Sequence, residues 1–133
     1  MKAILISIKH QYAAAIYAGT KVFELRKRTP KIPLGTLCII YEPLPVGRVT
    51  GCFNYSGIHV FRVDSITWLF LCQCQVSYNA LQDYYRGQKF GHAWSILNQR
   101  PFSPTYSLST FGLSRPPQSY QFIDIPENLL TNL

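Results

Sequence analysis

The hydrophobic and polar positions of this chain form short runs that are typical of β-strands. Runs that alternate with a period of two indicate a strand with one buried face, and a continuous apolar run indicates a strand covered on both faces. The continuous run is residues 37–42. The other strand-like runs are residues 2–8, 22–28, 49–53, 58–63, 93–97 and 118–123. Residues 54–57 allow either a hairpin or one long bulged strand.

The first helical signal follows the first strand. Residues 10–18 predict a short helix whose buried face holds two pairs spaced four residues apart, Tyr12 with Ile16 and Ala13 with Tyr17. We expect Gly19 to end this helix, because glycine readily adopts the left-handed conformation that follows a last helical turn.

Helical signals return in the second half of the chain. Residues 66–72 are apolar all round, which fits a buried helix or a strand. We favour a helix capped by Asp64 or Ser65. Residues 78–86 give a clearer helix, opened by Ser77.

The remaining segments are rich in turn residues. Residues 89–92 predict a turn, and residues 100–117 are rich in Pro, Ser and Thr, with a possible helical turn at 108–111. Strands with helices to one side indicate an α+β fold with a mostly antiparallel, barrel-like sheet, a helix after the first strand and one or two helices inserted late. We expect one domain over residues 1–125 and a loose tail over residues 126–133.

Composition narrows the class of protein. The chain has 133 residues, 47% of them hydrophobic, which is enough for a core. It contains no apolar run of the roughly 18 residues that a membrane helix needs, and residues 1–8 are too short and strand-like for a signal peptide. We therefore expect a cytoplasmic protein without a membrane partner.

The four cysteines give no metal pattern. Cys72 and Cys74 are separated by one residue, whereas zinc-binding pairs are separated by two to four, and no histidine follows at zinc-finger spacing. Cys38 and Cys52 lie in apolar, strand-like runs. We expect four reduced, mostly buried thiols, no metal and no cofactor.

The charge is strongly positive and unevenly distributed. The net charge is +7, from 13 basic and 6 acidic residues. The first 31 residues contain seven of the basic residues and one acid, Glu24. A basic region of this kind favours a polyanionic partner, nucleic acid or nucleotide, over the alternative of a soluble protein that happens to be basic.

Half of the residues in the stretch 19–28 are charged, although only 14% of the whole chain is charged. Glu24, Arg26 and Arg28 alternate with apolar residues and are expected on one strand face. Such a row is either a cross-strand ion pair on a wet sheet face or a site where Glu accepts hydrogen bonds from a ligand and Arg or Lys donates to it.

The same stretch resembles the signature of the ASCH domain family, Gly-x-Lys-x-x-Glu-x-Arg, with Gly19, Lys21, Glu24 and Arg26 at the four defined positions. The resemblance covers nearly the whole chain to about residue 122 and includes the closing Pro-Pro-Gln-Ser-Tyr at 116–120. It implies a PUA-like β-barrel that binds RNA, a nucleotide or a modified base in a cleft beside the first helix.

Some members of the family are enzymes, either ribonucleases or an amidohydrolase that deacetylates 4-acetylcytidine. The amidohydrolase-like members have a Thr nucleophile, with Lys as base, where this chain has Glu24, and a carboxylate cannot replace that hydroxyl. If the chain is an enzyme, the resemblance therefore favours a metal-independent ribonuclease over the amidohydrolase. His10 is a second departure, because many relatives have proline at this helix start.

The residue types suggest roles in such a site. Arg26 offers a planar fork to phosphate, Lys21 a mobile charge, and Glu24 an acceptor for a base or ribose. We also include Lys9, Arg28 and Ser119 among the ligand-binding candidates, with Tyr41 as a stacking surface. Trp94 and Tyr120 could also stack, although core packing is the more common role of each aromatic residue.

Three hypotheses follow. The first is a module, monomeric or weakly dimeric, that binds RNA or a modified nucleoside without turnover. The second is a hydrolase of RNA or a nucleoside, in which Lys21 and Glu24 are catalytic, with Glu24 as base and cations on the phosphate. The third is a protein-interaction module.

Overall fold

The computed structural model describes residues 1–133 as one six-stranded sheet with four α-helices and a 3-10 helix. The predicted α+β class is confirmed. The strands are β1 (Lys2–Ser7), β2 (Phe23–Arg26), β3 (Leu37–Glu42), β4 (Arg48–Arg62), β5 (Phe90–Tyr106) and β6 (Tyr120–Asp124). The helices are α1 (His10–Tyr17), α2 (Trp68–Cys74), α3 (Tyr78–Tyr84) and α4 (Glu127–Leu130), and the 3-10 helix is Leu108–Phe111.

The strands lie in the order β2-β5-β4-β3-β1-β6. Only β1 and β3 are parallel, and all other neighbours are antiparallel. A parallel pair needs a long crossover connection, which here contains α1 and β2. The hydrogen-bonded ladder leaves β2 and β6 as edges, so closure of the sheet into a barrel stays a prediction.

The central strands are covered on both faces. On β3, Cys38 and Ile40 belong to a cluster with Ala13 and Ile16 of α1, whereas Leu37, Ile39 and Tyr41 belong to a cluster on the other face. This second cluster also contains residues from the 3-10 helix, β6 and α4. The buried position of every residue in β3 explains its continuous apolar sequence.

Two long strands replace several predicted pieces. Residues 48–62 form the single bulged strand β4 rather than a hairpin, with register shifts between Cys52 and Asn54 and between Tyr55 and Ile58. The predicted turn at 89–92 is wrong, because β5 begins at Phe90 and runs to Tyr106. Its second half pairs only with β4, and this edge position accommodates Pro101 and Pro104.

The helix ends follow capping chemistry. Gly19 adopts a left-handed φ of 82° after α1, and the Ser77 side chain accepts from Ala80 N at 3.1 Å, as predicted. The predicted cap of α2 is wrong: Thr67 caps it by accepting from Phe70 N at 3.1 Å. Asp64 is instead paired with Arg62 on the surface. None of these helices is both long and apolar enough to cross a membrane.

The segment after Pro126, where the sequence predicts a loose tail, contains α4. Leu129 of this helix is buried in the cluster that also contains Ile125 and Phe111. Three leucines in an eight-residue terminal segment are too few to carry a periodic signal, which is why the contact was not predicted.

We expect Leu129→Ala to lower the free energy of unfolding by about 2 kcal/mol, because it removes buried methyl groups and leaves a cavity. The neighbouring exposed Leu130 supplies the matched control, and Leu130→Ala should change stability by less than about 0.5 kcal/mol. Urea unfolding of both variants measures the difference. Equal losses would show that α4 does not pack as described.

The cysteines generate a second prediction. Burial raises the pKa of the Cys38 and Cys74 thiols to about 12 and that of Cys52 to about 11, whereas Cys72 is half-buried. The thiolate is the reactive form, so a raised pKa slows alkylation at neutral pH. In native protein treated with iodoacetamide, Cys72 should be modified first and the other three only after unfolding. Peptide mass spectrometry before and after denaturation checks this order, which early modification of Cys38 would contradict.

Candidate functional site

The turn after α1 directs Lys21 into the protein. Because Gly19 is left-handed, the N–H groups of Thr20 and Lys21 both donate to the carbonyl of Ala15, each at 3.1 Å. These bonds close the end of the helix and turn the chain sharply. The Lys21 side chain is consequently only 1% exposed.

The buried ammonium of Lys21 has three neighbours. Its Nζ donates to the carbonyl of Cys74 at 2.6 Å, lies 3.5 Å from Glu24 Oε1 and lies 5.1 Å from the ring centroid of Tyr12. Cys74 is the last residue of α2, where free carbonyls carry partial negative charge. Lys21 is thus compensated by a carboxylate, a carbonyl and an aromatic ring, which together offset its removal from water.

Glu24 is 5% exposed and uses both of its oxygens. Oε1 faces Lys21, while Oε2 accepts from Arg26 Nε at 3.1 Å and from Arg26 Nη2 at 2.8 Å. Glu24 and Arg26 lie two residues apart on β2 and therefore share a strand face, as the alternation predicts. The carboxylate is held between two cations and is fully committed to them.

Arg26 also reaches beyond its own strand. Its Nη2 donates to Ser7 O at 2.7 Å at the end of β1, and its Nη1 donates to Ser119 Oγ at 3.1 Å beside β6. Ser7 in turn donates from Oγ to Pro117 O at 2.6 Å and from N to Ser119 O at 3.0 Å. The guanidinium therefore links edge strand β2 to strands β1 and β6 at the other edge of the sheet. Backbone hydrogen bonds between strands do not make this connection.

A cavity of about 450 Å³ opens beside these charges. Three cations and one carboxylate contribute to its wall, Lys9, Lys21, Arg26 and Glu24. The aromatic residues of the wall are Tyr12 and Tyr84. The other lining residues are Ser7, Ile8, Leu25, Pro43, Val76, Ala80, Leu81 and Gln118. Such a volume lies in the range of small-molecule sites, roughly 300–1,000 Å³.

Tyr84 is the exposed aromatic residue of the wall. Lys27 Nζ lies 4.9 Å from its ring centroid. Burial of its hydroxyl raises the pKa of Tyr84, an effect that the charge of Arg26 partly offsets. The phenol is therefore neutral at physiological pH and presents an apolar face with a polar edge.

The structure brings together some of the sequence-predicted residues. Lys9, Lys21, Glu24 and Arg26 line the cavity, and Ser119 joins them through its bond to Arg26. Sequence reasoning missed the other polar and aromatic members of the wall, Ser7, Tyr12, Tyr84 and Gln118. Tyr12 was assigned only to the buried face of α1, and no local pattern connects α3 to α1.

Other predicted residues lie elsewhere. Tyr41 is buried on the opposite face of β3 from α1, and Trp94 is fully buried in the core. Tyr120 packs edge-on against Trp94 with ring centroids 5.4 Å apart. The side chain of Arg28 is absent from the wall, although its carbonyl accepts from Trp94 Nε1 at 3.3 Å.

Comparison with known proteins gives consistent results. A family model described as the ASCH domain matches residues 6–105. A protein from Zymomonas mobilis subsp. mobilis named ASCH domain-containing ribonuclease is 27% identical over 103 residues, which cover 77% of this chain and 70% of that protein.

Solved structures share the fold. The crystal structure of ASCH from Zymomonas mobilis matches with a TM-score of 0.81 at 24% identity, covering 92% of this chain and 87% of that chain. A crystal structure of a mutant form of ZmASCH matches with a TM-score of 0.82 at 24% identity, covering 93% and 91%. At this identity the likeness concerns the fold alone.

We expect Glu24→Ala to lower the free energy of unfolding by about 3 kcal/mol, because it leaves the buried Lys21 ammonium without its carboxylate. The control is Asp83→Ala, which removes the solvent-exposed pair with Arg86 and should cost less than about 1 kcal/mol. Guanidinium unfolding at constant pH measures both values. A Glu24→Ala variant as stable as the control would contradict the buried network.

Proposed function

Because the chain belongs to the ASCH domain family, we propose that it binds RNA or a modified nucleoside in the cavity beside Lys21, Glu24 and Arg26. The observation that carries the proposal is the composition of the wall, in which three cations and one carboxylate adjoin two tyrosines. Cations attract phosphate, and aromatic rings stack on bases whatever their sequence. A cavity of about 450 Å³ accommodates one nucleotide rather than a duplex.

The residues of the wall have two kinds of proposed role, a fixed positive potential and direct contact with the ligand. Lys21 and Arg26 are held in internal bonds, so they contribute a fixed positive potential rather than mobile contacts. Lys9 is exposed at the wall and is placed to meet a phosphate. The exposed amide of Gln118 offers a donor and an acceptor to a base edge, and Tyr84 offers a stacking surface.

A ribonuclease is the second candidate. It is favoured by the name of the Zymomonas mobilis relative, ASCH domain-containing ribonuclease. The contacts of Glu24 argue against that residue as the base, because both oxygens are engaged by Lys21 and Arg26. A 4-acetylcytidine amidohydrolase is less favoured, since Glu24 occupies the position of the Thr nucleophile. The cytoplasmic location and the monomeric or weakly dimeric state remain part of the proposal.

The proposal predicts salt-sensitive binding that depends on Lys9. In titrations of a labelled single-stranded RNA, Lys9→Ala should reduce the slope of log affinity against log salt by about 1, because one phosphate contact is lost. Lys2→Ala is the matched control: Lys2 is also exposed but lies at the other end of β1. Equal slopes for the two variants would place the RNA elsewhere.

The stacking surface is tested by a pair on one helix. Tyr84→Ala should weaken binding of RNA, or of a modified nucleoside titrated in parallel, about tenfold. Tyr78→Ala removes an exposed tyrosine of α3 that is not in the wall and should leave the affinity unchanged. Absence of binding to both ligands at low salt would contradict the proposed function. RNA fragments after the titration would support the second candidate.

A further inference from the structure

One buried carboxylate lies outside the network of Lys21, Glu24 and Arg26. Glu42, the last residue of β3, has a side chain that is 7% exposed. Its Oε1 lies 2.6 Å from Nδ1 of His10, and this is the one side-chain hydrogen bond of the carboxylate. The His10 side chain, the first residue of α1, is 71% exposed.

A carboxylate that accepts from Nδ1–H fixes the imidazole in one tautomer and leaves Nε2 with its lone pair. This is the arrangement that prepares an imidazole to accept a proton from a substrate hydroxyl. Packing does not account for the pair, because the ring is mostly in solvent while its partner is buried. Burying the carboxylate of Glu42 carries a desolvation penalty, and anchoring a surface side chain alone would not offset it.

The pair lies next to the proposed RNA site. Lys9 precedes His10 and Pro43 follows Glu42, and both line the cavity, as does Ile8. A backbone bond of 2.9 Å from Ile8 N to Tyr41 O holds the two chain segments side by side. His10 and Glu42 are not themselves lining residues, but each is the chain neighbour of one, and Lys9 is the exposed cation of the wall.

Few other charges face the pair. Lys9 directly precedes His10 at the start of α1. On α1, burial raises the pKa of the Tyr17 hydroxyl, and the nearby charge of Glu42 raises it further. On β4, Arg48 is the register partner of Glu42, but its guanidinium donates to Thr105 at 3.1 and 2.9 Å. His10 is thus the direct partner of the carboxylate.

We propose that His10, oriented by Glu42, is the general base of an RNA-cleaving reaction at the part of the cavity lined by Lys9. Nε2 takes the proton of a ribose 2′-hydroxyl, and the 2′-oxygen attacks the adjacent phosphorus. The bond from phosphorus to the 5′-oxygen breaks, and that oxygen takes a proton from solvent. The products are a 2′,3′-cyclic phosphate and a 5′-hydroxyl. The ammonium of Lys9 stabilises the charge that develops on the phosphoryl oxygens.

This inference rests on the proposed RNA site, so the experiment measures binding and cleavage separately. The substrate is an end-labelled single-stranded RNA, with its all-deoxy counterpart as a substrate that lacks the attacking hydroxyl. The wild type should cleave the RNA alone, and its upstream fragment should carry a cyclic phosphate. His10→Gln should lower the cleavage rate at least about 100-fold while the dissociation constant changes less than about twofold.

Three further variants separate catalysis from structure. Glu42→Gln should also slow cleavage, because a neutral amide does not stabilise the imidazolium that forms when Nε2 takes the proton. His59→Gln is the matched control, since His59 is exposed on β4 and stacks on Phe23 away from the cavity, and it should cleave as the wild type does. Added imidazole should restore cleavage to His10→Ala, a rescue that a purely structural role would not permit.

The outcomes are distinct. Wild type that fails to bind RNA overturns both the proposed function and the dyad. Wild type that binds RNA and leaves it intact, or His10→Gln that cleaves at the wild-type rate, overturns the dyad alone. A His10→Ala variant whose melting temperature falls and whose cleavage imidazole does not restore reduces the pair to a structural clamp.

Discussion

The rest of the structure depends on a network of charges, buried at Lys21 and Glu24 and half-buried at Arg26, that begins at the carbonyl of Cys74. Each charge removed from water would be costly alone, and each is compensated by the next. At one end this network holds the last turn of α2 through Lys21. At the other end it holds the end of β1 and the residue before β6 through Arg26. The network therefore connects α2 and β2 with β1 and β6, which strand pairing does not do.

The same hydrogen bonds make the floor of the cavity rigid and positively charged. A cavity between a sheet edge and two helices would deform easily if hydrophobic packing alone supported it, because apolar contacts are non-directional. Arg26 instead spans the gap with bonds of fixed direction to Ser7 and Ser119. The floor is thus rigid and positively charged before any ligand arrives, and mobile contacts are left to the rim, where Lys9, Tyr84 and Gln118 lie.

The local part of this design could be predicted from the sequence. Gly19 as a helix end and the shared face of Glu24 and Arg26 follow from backbone geometry within ten residues. The long-range part could not, because bonds from Lys21 to Cys74 and from Arg26 to Ser119 depend on tertiary packing that no local period encodes. Strand β5 was underestimated for the same reason: its prolines are acceptable only because that half lies at an edge.

The residues that identify the family are consequently the ones least free to contact a ligand. In the stretch from Gly19 to Arg26, the glycine shapes a turn and the three charged side chains satisfy one another. Such residues fix where a cavity lies and what sign its potential has, but they leave the chemistry open. We therefore assign that chemistry, as a proposal, to side chains outside the signature, Tyr84 and the pair of His10 with Glu42. Proteins that share the signature can therefore share a binding place and differ in what they do there, because the rim can change without disturbing the buried charges.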